Sequence, residues 1–133
     1  MNTMIAQIAA IAASVGFLGM MCFQILLALG LPLGQASWGG KYTGKLPPRL
    51  RIASLFSAVI FIIASLLVLE KANMLSVFNN PNVVTVGVWV LVGFIALSAL
   101  GNFVSQSKWE KRIMAPIALT LSLLCIIVGI TSS

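Results

Sequence analysis

Four long apolar runs, separated by short polar stretches, set the pattern of this chain. They extend from about Met4 to Leu31, Leu50 to Leu69, Val83 to Val104 and Ile113 to Ile130. A helix that crosses a bilayer needs roughly 20 mostly apolar residues, and each run supplies about that many. Apart from Arg51, in the first turn of the second run, no charge interrupts them. A transmembrane barrel would instead show shorter segments alternating apolar and polar. The pattern predicts an all-α, polytopic membrane protein: a four-transmembrane-helix up-and-down bundle in a single domain spanning the chain. Its helices are expected at about 4–31, 50–69, 83–104 and 108–131. The first run is too long for a signal peptide and lacks the basic n-region of one, so it is expected to remain as a helix.

The polar stretches carry start and stop signals. Pro32 is expected to end the first helix, and the Pro47–Pro48 pair to open the second, because proline suits the first helical turn. Asn80–Pro81 reads as a cap followed by a first-turn proline. Ser107 and Glu110 have the spacing of a capping box, which would start helix four as a surface turn carrying Lys108, Trp109, Lys111 and Arg112. Pro116 then falls inside that helix and should bend it.

Small residues crowd the first helix at Ala6, Ala9, Ala10, Ala12, Ala13, Gly16 and Gly19. Lipid gives helices no hydrophobic drive toward one another, so close approach at small residues carries their packing. Ala9, Ala13 and Gly16 are therefore helix-packing candidates. Ser54, Ser57, Ala58, Ala64 and Ser65 fall on one face of the second helix, expected to pack on the first; a polar path for a solute is the alternative. Gln24 is a polar position expected to bond a neighbouring helix, and Asn102 one expected to cap its helix or cross-link helices.

Charge adds an orientation. Only 8% of the 133 residues are charged, with a formal net charge of +6, against about 25% in a soluble domain. Lys41, Lys45, Arg49 and Arg51 lie between helices one and two, and Lys108, Lys111 and Arg112 between three and four. The connection between helices two and three has only Lys71, beside Glu70. Cytoplasmic loops collect Lys and Arg, so both basic loops are expected in the cytoplasm and both termini outside. Nucleic acid is not an expected partner; membrane lipids are.

The same inventory narrows the chemistry. Proton-coupled carriers need a titratable group within the membrane. This chain has no Asp or His, and its two acids, Glu70 and Glu110, are expected at helix ends. Cys22 and Cys125 form no Cys-x-x-Cys unit and read as two free thiols at different depths. No metal site or cofactor is expected. An enzyme is not expected either, although Ser37 or Ser54 with Lys41 or Lys45 would supply a Ser/Lys dyad.

The information-rich segment is Gly30 to Arg51, which holds five of the eleven glycines and three of the five prolines. Glycine admits backbone conformations closed to other residues, and successive backbone N–H groups cradle anions. Trp38, Gly39, Gly40, Lys41, Lys45, Arg49 and Arg51 are thus candidates for binding an anion or lipid headgroup. A tightly turned, membrane-hugging connector is the plainer reading.

Here the motifs Gly30-x-Pro32-x-Gly34, Trp38-Gly39-Gly40 and Leu46-Pro47-x-Arg49-Leu50-Arg51 resemble a group of small uncharacterised four-helix bacterial integral membrane proteins, as does the basic turn from Lys108 to Pro116. The resemblance implies a four-helix fold and a bacterial inner membrane, and transfers no catalytic residue. The expected role is an accessory or structural membrane component that contacts lipid through the basic loop, with a homo-oligomer or a membrane protein partner allowed. The alternative is a small transporter or channel subunit acting as an oligomer.

Overall fold

The structure, a computed structural model, describes residues 2–32, 44–104, 108 and 110–132. It contains four long helices: α1 (Asn2–Ala28), α2 (Pro48–Lys71), α3 (Pro81–Phe103) and α4 (Ala115–Thr131). A single π-helical turn, Glu110–Met114, leads directly into α4. No strand occurs among the described residues. All four helices are long and apolar enough to cross a membrane, and the protein is an all-α, multi-pass membrane bundle.

Each helix end has a local cause. Helix α1 stops before Pro32, because Gly30 turns into the left-handed region at φ +92°. Its N–H returns to the Leu27 carbonyl at 3.1 Å, and the Leu31 N–H to Leu26 at 3.2 Å. This pairing is a Schellman motif; glycine sets the stop, and the proline comes after it. Asn73, at φ 63°, ends α2 in the same way: its N–H meets the Glu70 carbonyl and that of Met74 meets Leu69, both at 2.9 Å. Helix α2 opens at the proline pair as expected, with the Leu50 and Arg51 N–H groups returning to the Pro47 carbonyl at 3.0 Å. The Asn80 carboxamide caps α3, accepting from the N–H groups of Asn82 and Val83 at 3.1 and 3.2 Å.

The π-helical turn has a reason in Pro116. A proline inside an α-helix lacks an N–H and its ring clashes with the carbonyl four residues back. Here that carbonyl belongs to Arg112, and the wider turn over Glu110–Met114 falls at that point. Ser107 and Trp109 of the expected capping box lie outside the described residues.

The helices run up and down, with α1 packed most extensively on α2 and α3 on α4. The α1–α4 seam closes the far side, whereas the α2–α3 seam is looser. The interior is built around Ala13, Phe17, Val68, Val88, Leu121 and Cys125. Large apolar side chains such as Ile8, Val15, Phe56, Leu97 and Ile130 point outward, as lipid contact requires. On the small-residue faces Ala9, Ala13, Ser54 and Ala58 are buried and Ser57 is half-buried. Gly16 packs against α4, where an added methyl would lie 2.5 Å from Leu121 Cδ2. At the end that holds both chain termini, Lys71 Nζ approaches the Ser132 carbonyl at 3.5 Å.

Candidate functional site

Two places gather polar chemistry, both toward the end of the bundle where α1 stops, α2 starts, and the π-helical turn sits. The first is the basic junction of α1 and α2. Arg51 leaves the first turn of α2 and its Nε donates to the Ala28 carbonyl at 3.0 Å. A methyl on Gly30 would meet both the Arg51 guanidinium and Lys45 Cε at 3.0 Å, so these two cations converge over the C-terminus of α1. The partial negative charge at a helix C-terminus favours cations there. Lys45 and Arg49 are exposed and Arg51 is half-buried. The other members of the expected anion site, Trp38, Gly39, Gly40 and Lys41, lie outside the described residues.

The second place is a cleft of about 220 Å³ in the same half of the bundle, walled by all four helices and the π-helical turn. Its aromatic wall is Phe23, Phe61 and Phe94, and its amide groups are Gln24 and Asn102. Ser57 and Ser98 add hydroxyls; the Ser57 hydroxyl donates back to the Ala53 carbonyl at 3.0 Å, which leaves its oxygen able to accept. Phe61 is held by Phe17, with ring centroids 6.1 Å apart and planes inclined by 29°.

Glu110 forms part of this wall and is only 8% exposed. It sits at a helix end, as the sequence pattern places it, but its side chain is buried rather than solvated. The π-helical turn accounts for the difference, because an extra residue in the turn rotates the side chains ahead of Pro116 relative to α4. Lys108, Lys111 and Arg112 remain exposed around it.

Glu70, expected at a helix end, also organises the loop that follows it. Its carboxylate accepts from three successive backbone N–H groups, Val77 and Phe78 through Oε1 at 2.7 and 2.8 Å and Asn79 through Oε2 at 2.9 Å. The loop from Ala72 to Asn80 therefore folds over the acid that ends α2, and the Ser76 hydroxyl bonds the Asn79 side chain within it. The available signal was the left-handed tolerance of Asn73 and Asn79, both at positive φ.

Cys22 is exposed and Cys125 buried, both as free thiols. Among the described residues no three His, Cys, Asp or Glu side chains come together to hold a metal ion. No family model, curated protein or solved structure matches this chain.

Proposed function

We propose that the protein is an accessory membrane component whose basic end holds anionic lipid headgroups. The observation that carries this reading is the convergence of Lys45 and Arg51 on Gly30, with Arg49 exposed beside them. Lys45 and Arg51 reach the same point over the end of α1, and a headgroup phosphate accepts from both kinds of donor. Trp38, Gly39, Gly40 and Lys41, which lie outside the described residues, are candidates for the same role by sequence alone. In this reading the basic end faces the cytoplasm of a bacterial cell, following the charge bias, and both termini face outward. The bacterial inner membrane rests on the resemblance of the Gly30–Arg51 motifs.

The test keeps the Arg51 contact to α1 intact and removes the neighbouring charges. Lys45→Gln combined with Arg49→Gln is reconstituted in vesicles of phosphatidylglycerol and phosphatidylcholine, and retained lipid is measured by native mass spectrometry. Each cation near an anionic surface contributes about 1 kcal/mol. Retention of phosphatidylglycerol is therefore expected to fall more than about fivefold in the double variant. Equal retention by wild type and variant removes the proposal.

A second reading, a small transporter subunit acting as an oligomer, draws on the polar cleft between the four helices. Cross-linking in native membranes separates the two: the transporter reading requires a discrete homo-oligomer, and a monomer in the membrane excludes it.

A further inference from the structure

The cleft combines features that the headgroup reading does not use. Glu110, 8% exposed, is the charged residue of its described wall. The amides of Gln24 and Asn102 stand with it, and Phe23, Phe61 and Phe94 supply aromatic surface. A carboxylate and three aromatic rings lining one cleft is the chemistry that recognises an organic cation. Ring faces attract ammonium groups, most strongly where water is excluded, and the carboxylate compensates for taking the charge out of water. The size also fits. An apolar cavity of about 150 Å³ holds benzene, so the cleft, at about 220 Å³, takes one aromatic ring with a small ammonium head. Its position completes the argument: Phe94 and Ser98 belong to α3, Ser57 and Phe61 to α2, and the α2–α3 seam between them is the looser one. Phe94 is 57% exposed, so this wall reaches the bundle surface and gives a lipid-dissolved ligand a lateral way in.

We infer that this cleft is a binding site for a compact lipophilic organic cation, an amine or quaternary ammonium carrying one ring or a short apolar tail. Glu110 faces its charge, and the three phenylalanines enclose its apolar body.

The experiment is equilibrium binding of labelled benzyltrimethylammonium to the purified full-length chain in detergent. Its uncharged isostere neopentylbenzene and the anion benzenesulfonate serve as competitors. Saturable binding is expected, with benzenesulfonate ineffective and neopentylbenzene at least about tenfold weaker than the unlabelled cation, the difference one charge-assisted contact makes. Glu110→Gln should weaken cation binding by about tenfold or more. Phe94→Ala, at a largely exposed position whose truncation leaves the interior intact, should weaken it by about threefold or more through loss of one ring face. If Glu110→Gln does not fold, Phe94→Ala decides. Absence of saturable binding, full affinity in both folded variants, or equal competition by neopentylbenzene (the result an acyl-chain occupant would give) overturns the inference. None of these outcomes depends on the charges at Lys45 and Arg49.

Discussion

Arg51 Nε lies 3.0 Å from the carbonyl oxygen of Ala28, and this one bond ties the last turn of α1 to the first turn of α2 across a connection of nineteen residues, 29–47. The last four carbonyls of any helix lack intrahelical donors, and Ala28 is one of them. A hydrogen bond from a charged group contributes about 1.5–3 kcal/mol when buried, and Arg51 is only half-buried. Arg51→Gln should lower unfolding stability in detergent by about 1 kcal/mol. Arg51→Lys should not restore it, because the ammonium of lysine is a point charge at the end of the chain, and the guanidinium fork donates from Nε. Denaturant unfolding followed by circular dichroism measures both; wild-type stability in Arg51→Lys would show that charge alone suffices.

Gly30 makes that bond possible. Its φ of +92° is strained for any residue with a Cβ, at about 1–2 kcal/mol. An added methyl would also press on the Arg51 guanidinium and Lys45 Cε at 3.0 Å. Gly30→Ala should therefore destabilise by about as much as Arg51→Gln or more, and the two together by less than their sum, since both disrupt one contact. A double-mutant cycle reads the coupling, and strict additivity would separate the glycine from the arginine.

Glu70 organises the opposite end. Three amides, those of Val77, Phe78 and Asn79, donate to one carboxylate. Glu70→Gln presents a single amide oxygen in place of two anionic acceptors. These amides should then exchange with deuterium markedly faster, whereas helix amides such as that of Val88 should be unaffected. Unchanged protection at all three would mean the loop holds its shape without the acid.

Much of this architecture is legible in the sequence, for identifiable reasons. The four crossings follow from length and hydropathy alone. The starts of α2 and α3 follow from Pro47–Pro48 and Asn80–Pro81, whose local chemistry leaves little choice. The stop of α1 was harder, because Gly30 and Pro32 both qualify and only the backbone shows that the glycine acts first. Ser54 and Ala58 share a buried face of α2, the kind of relation that helical spacing makes legible. The burial of Glu110 was not: spacing arguments assume 3.6 residues per turn, and one π-helical turn ahead of Pro116 breaks that register. The Glu70 contacts were hidden because they depend on the path of a loop, which has no periodicity to read.

Ser54 is fully buried, and its hydroxyl has no hydrogen-bond partner among the described residues. Ser65, on the same face, donates to Ile62 at 2.8 Å. Leaving a buried polar group unsatisfied is unfavourable by about 1–3 kcal/mol. Ser54→Ala should thus be neutral or stabilising, whereas Ser65→Ala, which removes a made bond, should be neutral or destabilising. A loss of more than about 1 kcal/mol in Ser54→Ala would reveal a partner for its hydroxyl.

Gly16 and Gly19 separate packing from composition on one helix. Both belong to the small-residue run of α1, and sequence alone treats them alike. A methyl on Gly16 would fall 2.5 Å from Leu121 Cδ2, whereas one on Gly19 meets nothing within 4 Å. Leu121 is 4% exposed and walls both the cleft and a groove beside Gly16 and Pro116, so its terminal methyl must shift into one of these two spaces. Gly16→Ala should destabilise by about 1 kcal/mol, the low end of the overpacking penalty, because the Leu121 side chain has space to shift. Gly19→Ala should be neutral or stabilising by up to about 1 kcal/mol, because alanine is the better helix former. Unfolding in detergent compares the two directly. Equal effects would mean that the approach of α1 to α4 at Leu121 is looser than the geometry indicates, and that Gly16, like Gly19, does not set the distance between them.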